Sequence, residues 1–193
     1  MKKREFTELI KLSITKDINP MVIEKYISMA YNTYVQNHWR NKNTHTIDLF
    51  CKLFEDVEVK EVGGQYYSVI PASIIDIPRP GSGVISIEMT GDMDLIFVPV
   101  TVTGHKTMNN LEVYKTTGPV PFTVTREKIY YQTKLYGIDK VNMRLMLKYE
   151  AYQPEDEIIF PPNSEMAIRD IVWQFLNQTP PEDKVIDSNE RTK

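Results

Sequence analysis

The chain has 193 residues, 41% hydrophobic and 25% charged, the proportions of an ordinary globular domain rather than of a fibre or a disordered polymer. Twenty-three Lys and Arg against 26 Asp and Glu leave a formal charge of −3, which argues against nonspecific DNA binding as the main role. The single cysteine, Cys51, excludes an internal disulfide framework and a Cys-rich zinc site. No stretch approaches the roughly 20 apolar residues of a membrane span, and the basic start MKKREFTELI leads into no apolar core of the secretory type. A soluble protein made in a reducing cytoplasm is expected.

From Lys2 to about Arg40 the chain reads as a helical pair. Phe6, Leu9, Ile10 and Ile14 recur at helical spacing. A second helix opens on Asn19 as cap and Pro20 at the first helical position, with Ile18 and Ile23 placed as a hydrophobic staple. Its apolar stripe is Val22, Tyr26, Ala30, Tyr34 and Trp39 with Ile23, Ile27 and Val35.

From Ile47 to about Tyr152 the apolar period becomes two. Val57, Val59 and Val62 lead into Gly63-Gly64 and then Tyr66 to Ile70, a hairpin signature. Pro71, Pro78 and Arg79-Pro80-Gly81-Ser82-Gly83 exclude helix. Further strands are expected at 84–89, 95–102, 111–114, 122–125, 128–133 and 141–149, with a turn at Thr90 to Asp94. Short strands at this spacing predict an antiparallel sheet or sandwich rather than βαβ units. A last helix enters at Asn163 or Ser164, with Ile168, Ile171, Val172, Phe175 and Leu176 on one face. The polar, Pro-containing remainder buries too little to order itself. The expected organisation is α+β: an N-terminal helical pair (1–46), a central antiparallel β-sheet or sandwich (47–155), a docked C-terminal helix (156–176) and a flexible tail (177–193).

Chemical motifs are mostly absent. His38, His45 and His105 have no second ligand at helical or hairpin spacing. Cys51 lies in Leu49-Phe50-Cys51-Lys52-Leu53-Phe54, apolar on both sides, the setting of an inert buried thiol. Asp92 and Asp94 sit in a turn, and Glu155-Asp156-Glu157 reads as a solvated loop. Neither glycine pair continues into a phosphate cradle. No catalytic, cofactor-binding or metal-binding residue is assigned, which disfavours an enzyme; Cys51 or Asp92 and Asp94 remain the residues a small hydrolase or transferase would have to use. A single-stranded nucleic-acid module is the other alternative. It would use Lys128, Tyr130, Tyr131 and Lys134 as a stacking surface, with Lys2-Lys3-Arg4 or Arg40-Asn41-Lys42 on phosphates.

Surface for protein partners remains. Trp173 falls off the stripe of the last helix, the position of an interface anchor. Trp39 is a weaker candidate, and Asn177, Pro180, Pro181, Val185 and Ile186 belong to an arm suited to ordering on a neighbour.

Two stretches carry a resemblance. Tyr66-Tyr67-Ser68-Val69-Ile70-Pro71, Ile75-Asp76-Ile77-Pro78, Gly83-Val84-Ile85-Ser86-Ile87 and Phe97-Val98-Pro99-Val100 form one. Ile158-Ile159-Phe160-Pro161-Pro162, followed by Glu165, Ile168, Ile171 and Val172, forms the other. Together they resemble structural proteins of tailed bacteriophages infecting Bacteroidota, the crAss-like phages included, with Ile70 and Ile77 where Leu is usual. The resemblance implies a virion protein of the head-to-tail connector or neck ring, located at the portal vertex after assembly in the host cytoplasm. It implies no catalytic residues and no cofactor. Its partners would be sister copies in a ring, usually twelvefold, then the portal and other neck or tail proteins, with no membrane. DNA would leave through the channel without specific binding, which a net negative charge suits.

Overall fold

The computed structural model describes residues 1–14, 18–41, 48–90, 95–104, 119–131, 137–158, 160–161 and 163–178. The expected turn at 90–94 (beyond Thr90) and the strand at 111–114 lie outside them, as do His45, His105, Lys134 and residues 179–193.

Helix α1 (Lys3–Ser13) buries Phe6 and Ile10. Leu9, placed by spacing on the same stripe, is exposed. Helix α2 (Pro20–Arg40) starts as its sequence dictates: the Asn19 side-chain oxygen accepts from the Met21 N–H at 2.9 Å, and Pro20 occupies the first turn. Its buried row is Ile23, Ile27, Tyr31 and Val35, four residues apart, with Ala30 beside it. Tyr31 is fully buried although the sequence stripe omits it, whereas Val22, inside that stripe, is exposed. Helix α3 (Ser164–Gln178) runs two residues past the expected end and buries Ile168, Val172 and Leu176.

Between the helices lie two sheets. The first contains β1 (Cys51–Glu58), β8 (Lys140–Met146) and β4 (Val84–Met89) in the order β1-β8-β4, antiparallel throughout. The second contains β2 (Lys60–Val62), β3 (Gln65–Val69), β7 (Lys128–Tyr131), β6 (Val120–Thr125) and β5 (Phe97–Pro99) in the order β2-β3-β7-β6-β5. Its pairs are antiparallel except β5 with β6, which are parallel, so the sheet is mixed. A parallel neighbour needs a long crossover, and the span from Pro99 to Val120 supplies the length. Pro99 sits on the edge strand β5, where a missing N–H is tolerated.

Local backbone explains how one chain feeds both sheets. The register of β1 on β8 shifts between Phe54 and Val57, where Asp56 has φ 57° and its N–H reaches the Asn142 side-chain oxygen at 3.1 Å. Such a bulge bends the strand. Val59 then donates to Asp139 O at 2.8 Å, and β2 continues into the second sheet. The β2–β3 hairpin turns on Gly63 and Gly64, both at positive φ, the requirement of a type I′ turn.

The helical layer and the sheets meet just beyond β8. A 3-10 turn, Tyr149–Ala151, places Tyr149 and Tyr152 against α1 and α2. Phe6 lies 4.7 Å from Phe160 between ring centroids, and Tyr31 lies 5.4 Å from Tyr149. Tyr152 and Phe160 meet Tyr31 edge-on, at 6.3 and 6.2 Å. Five aromatic rings thus join α1, α2, the turn after β8 and the approach to α3. The segment 149–155, counted by periodicity with the sheet, packs with the helices.

Two tests follow from this packing. A Cβ on Gly83 would lie 2.7 Å from Ile75 O and 3.1 Å from Met146 O, both backbone atoms. Gly83→Ala is expected to lower unfolding free energy by about 1–3 kcal/mol. Gly137→Ala, at φ 74° but in open space, is expected to cost about 1 kcal/mol. Urea midpoints check both, and an unchanged midpoint for Gly83→Ala would contradict the close crossing.

Burial also pushes the Tyr131 and Tyr149 phenols from an ordinary 10.0 up to about 12, against hydrogen bonds with Ser68 and Thr7. The folded chain therefore keeps protons that the unfolded chain releases. Stability present below about pH 10 should be lost as pH rises towards 12. Thermal midpoints across that window test this, and Tyr131→Phe should flatten the decline.

Candidate interaction surfaces

The two basic and acidic runs of the sequence find each other. Lys2 Nζ binds Glu155 at 2.7 Å, Arg4 reaches the same carboxylate at 3.1 Å, and Lys52 pairs with Asp156 at 3.1 Å. Backbone bonds lie beneath these pairs. Lys3 and Arg4 N–H groups donate to Asp156 O and Pro154 O at 3.0 Å each, and Ile158 N–H donates to Met1 O at 2.9 Å. The first turn of α1 therefore has its unsatisfied donors met by a loop about 150 residues away. Its hydrogen bond with Lys2 and the Arg4 charge hold the Glu155 carboxyl below its usual range. Lys2 and Arg4, considered above for phosphate binding, are spoken for by Glu155, and Glu155-Asp156-Glu157 is a docking loop rather than a merely solvated one.

The stacking surface is reorganised by strand alternation. Ile129 and Tyr131 point inward, and the buried Tyr131 hydroxyl donates to Ser68 Oγ at 3.1 Å. Tyr131 is therefore closed to a base. Lys128 and Tyr130 face the other way, and register puts Tyr67 directly opposite Tyr130. Their ring centroids are 6.0 Å apart, with Lys128 Nζ 4.5 Å from the Tyr67 centroid. Tyr67 is the residue that sequence reasoning did not select. Only the pairing of β3 with β7 brings it to this face.

Cys51 opens β1 half-buried. Burial and the Asp48 charge push its thiol from 9.0 up to about 12, against Arg144 and Arg79, the reverse of nucleophile activation. His38 packs its ring between Tyr34 and Phe50, at 5.7 and 5.5 Å. Among the described residues, no group of three His, Cys, Asp or Glu could hold a metal ion, and no helix is long and apolar enough to cross a membrane.

Of the interface candidates, Trp39 is half-buried and carries the Arg79 guanidinium 4.4 Å above its ring. Arg79 in turn donates to Ser82 O and Val84 O at 3.0 and 2.6 Å, clasping the 79–83 loop. Trp173 is half-buried against the core alongside Phe175, whose ring lies 6.1 Å from Tyr26. Asn177 is exposed near the end of α3. Pro180, Pro181, Val185 and Ile186 lie outside the described residues.

More apolar surface is bare elsewhere. On α1 and α2, Leu12 is 86% and Met21 77% exposed, with Leu9, Val22 and Met29 less so. Between these helices and residues 149–154 runs a groove of about 820 Å³. Lys11 and Glu24 bridge its walls at 2.6 Å. On its α2 side Ser28 Oγ donates to Glu150, and Asn32 accepts from the Tyr149 N–H at 3.1 Å. Burial acts to raise the Glu150 carboxyl, but hydrogen bonds from Ser28, the backbone and Asn32 prevail and hold it below its usual range.

The thiol has a direct check. Native Cys51 should alkylate at pH 8 roughly a thousandfold more slowly than an ordinary cysteine, and denaturant should restore the ordinary rate. Fast native labelling would mean an activated thiol after all. In comparisons with known proteins, no family model matches this chain and no curated protein gives a significant match.

Proposed function

We propose that the chain is a virion structural protein, a ring-forming head-to-tail connector subunit of a tailed bacteriophage. The supporting observation is the apolar surface its helical pair leaves in water, above all Leu12 and Met21. Large exposed aliphatic side chains are costly for a solitary molecule and favourable once a neighbour covers them. A contact between unlike surfaces of identical copies propagates, and it closes into a ring when the rotation between copies permits. The resemblance described above supplies the location at the portal vertex and the portal, neck and tail partners. The chemistry of such a subunit is oligomerisation, which needs no catalytic group and no cofactor.

A second reading has one observation in its favour. Tyr67, Tyr130 and Lys128 share a face of the second sheet, and paired rings beside a cation can stack single-stranded bases. Oligonucleotide titration at two salt concentrations separates the readings, since tight, salt-sensitive binding belongs to the second.

Native mass spectrometry and electron-microscopy class averages of the purified chain test the first reading. Closed rings are expected at high protein concentration. Leu12→Glu with Met21→Glu should leave the fold intact, because both side chains are solvent-facing, and raise the concentration for half-assembly about tenfold or more. A chain that stays monomeric throughout would sink the proposal.

A further inference from the structure

We infer that the groove between α1, α2 and residues 149–154 receives residues 179–193 of a neighbouring copy, with Val185 and Ile186 in its apolar trough. This inference rests on the ring-forming reading and names the contact that closes the ring.

The groove has the right chemistry for that segment. Met29 and Pro154 line it together with Lys25 and Glu8. Neither Lys25 nor Glu8 takes part in an ion pair among the described residues. In the segment, an apolar pair, Val185-Ile186, is framed by Glu182, Asp183 and Lys184 before it and Asp187 after it. Seating the pair on Met29 and Pro154 brings carboxylates to Lys25 and an ammonium to Glu8.

The fold also determines where the segment departs. Ser164 Oγ, at the start of α3, lies 3.0 Å from the Tyr34 hydroxyl, and Phe175 near its end meets Tyr26 at 6.1 Å. Helix α3 therefore runs antiparallel along α2 and ends beside the first turns of α2. Tyr26 faces α3, whereas Ser28 faces the groove through Glu150. At 3.6 residues per turn those two positions are about 200° apart around α2. Exit and receptor are thus on opposite sides of one helix, the layout of a head-to-tail contact between copies. From Gln178, extended chain brings Val185 as far as roughly 23 Å, enough to leave its own subunit and enter the next.

The test uses complementary variants of the full chain. One ends at Gln178 and keeps the groove. The other keeps residues 179–193 but carries Lys25→Glu and Met29→Glu, both at solvent-facing positions. Circular dichroism establishes that each is folded. By native mass spectrometry each variant alone should need at least about tenfold more protein to assemble than the unaltered chain. Mixed in equal amounts they should form a one-to-one pair and nothing larger, because one supplies the only groove and the other the only segment. If the shortened chain assembles as well as the unaltered one, the inference is overturned while the ring reading stands. If both variants lose assembly but their mixture gives no pair, the segment does not enter this groove of a neighbour. If the unaltered chain never assembles, the ring reading falls and this inference with it.

Discussion

The fold depends on one aromatic junction. Phe6 from α1, Tyr31 from α2, Tyr149 and Tyr152 from the turn after β8, and Phe160 before α3 stack and meet edge-on around a single point. Each ring buries a large apolar area, and tilted or edge-on geometry adds to burial by matching ring edges to ring faces. The Tyr31 hydroxyl is carried fully into this cluster, facing Tyr152 without a well-formed hydrogen bond. Its burial raises the phenol well above its ordinary range, so the group stays neutral while the fold persists.

The junction explains where the first turn of α1 lies. With Phe6 held by Tyr149 and Phe160, the first turn of α1 is pressed onto the 154–158 loop, and backbone carbonyls there take its free N–H groups. The ion pairs of Lys2, Arg4 and Glu155 are solvent-exposed and add little by themselves. They join Lys2 and Arg4 of the chain's most basic run to one carboxylate.

The sheets serve as a frame for the helical layer. Inward alternation closes Tyr131 and leaves Tyr67 and Tyr130 outside, and burial keeps the Cys51 thiol in its protonated form. What the frame positions is the helical layer, with α3 on the Tyr26 side of α2 and Glu150 on the Ser28 side.

By itself the sequence determined whatever depends on neighbours along the chain. Asn19-Pro20 set the start of α2, Gly63-Gly64 the hairpin, Pro71 to Gly83 the absence of helix, and period two the strands. These are local preferences of φ, capping and alternation, and they operate before any tertiary contact forms. Helical spacing selected Phe6 and Ile10 correctly, yet it admitted Leu9 and Val22 and passed over Tyr31, because a stripe shows which residues are apolar but not how wide a face is covered. Tertiary structure alone decided the division into two sheets, the parallel pairing of β5 with β6, and the joining of Lys2 and Arg4 to Glu155. It also decided which tyrosines face water. Those outcomes require parts distant in sequence to be brought together, and no local pattern encodes the distance between them.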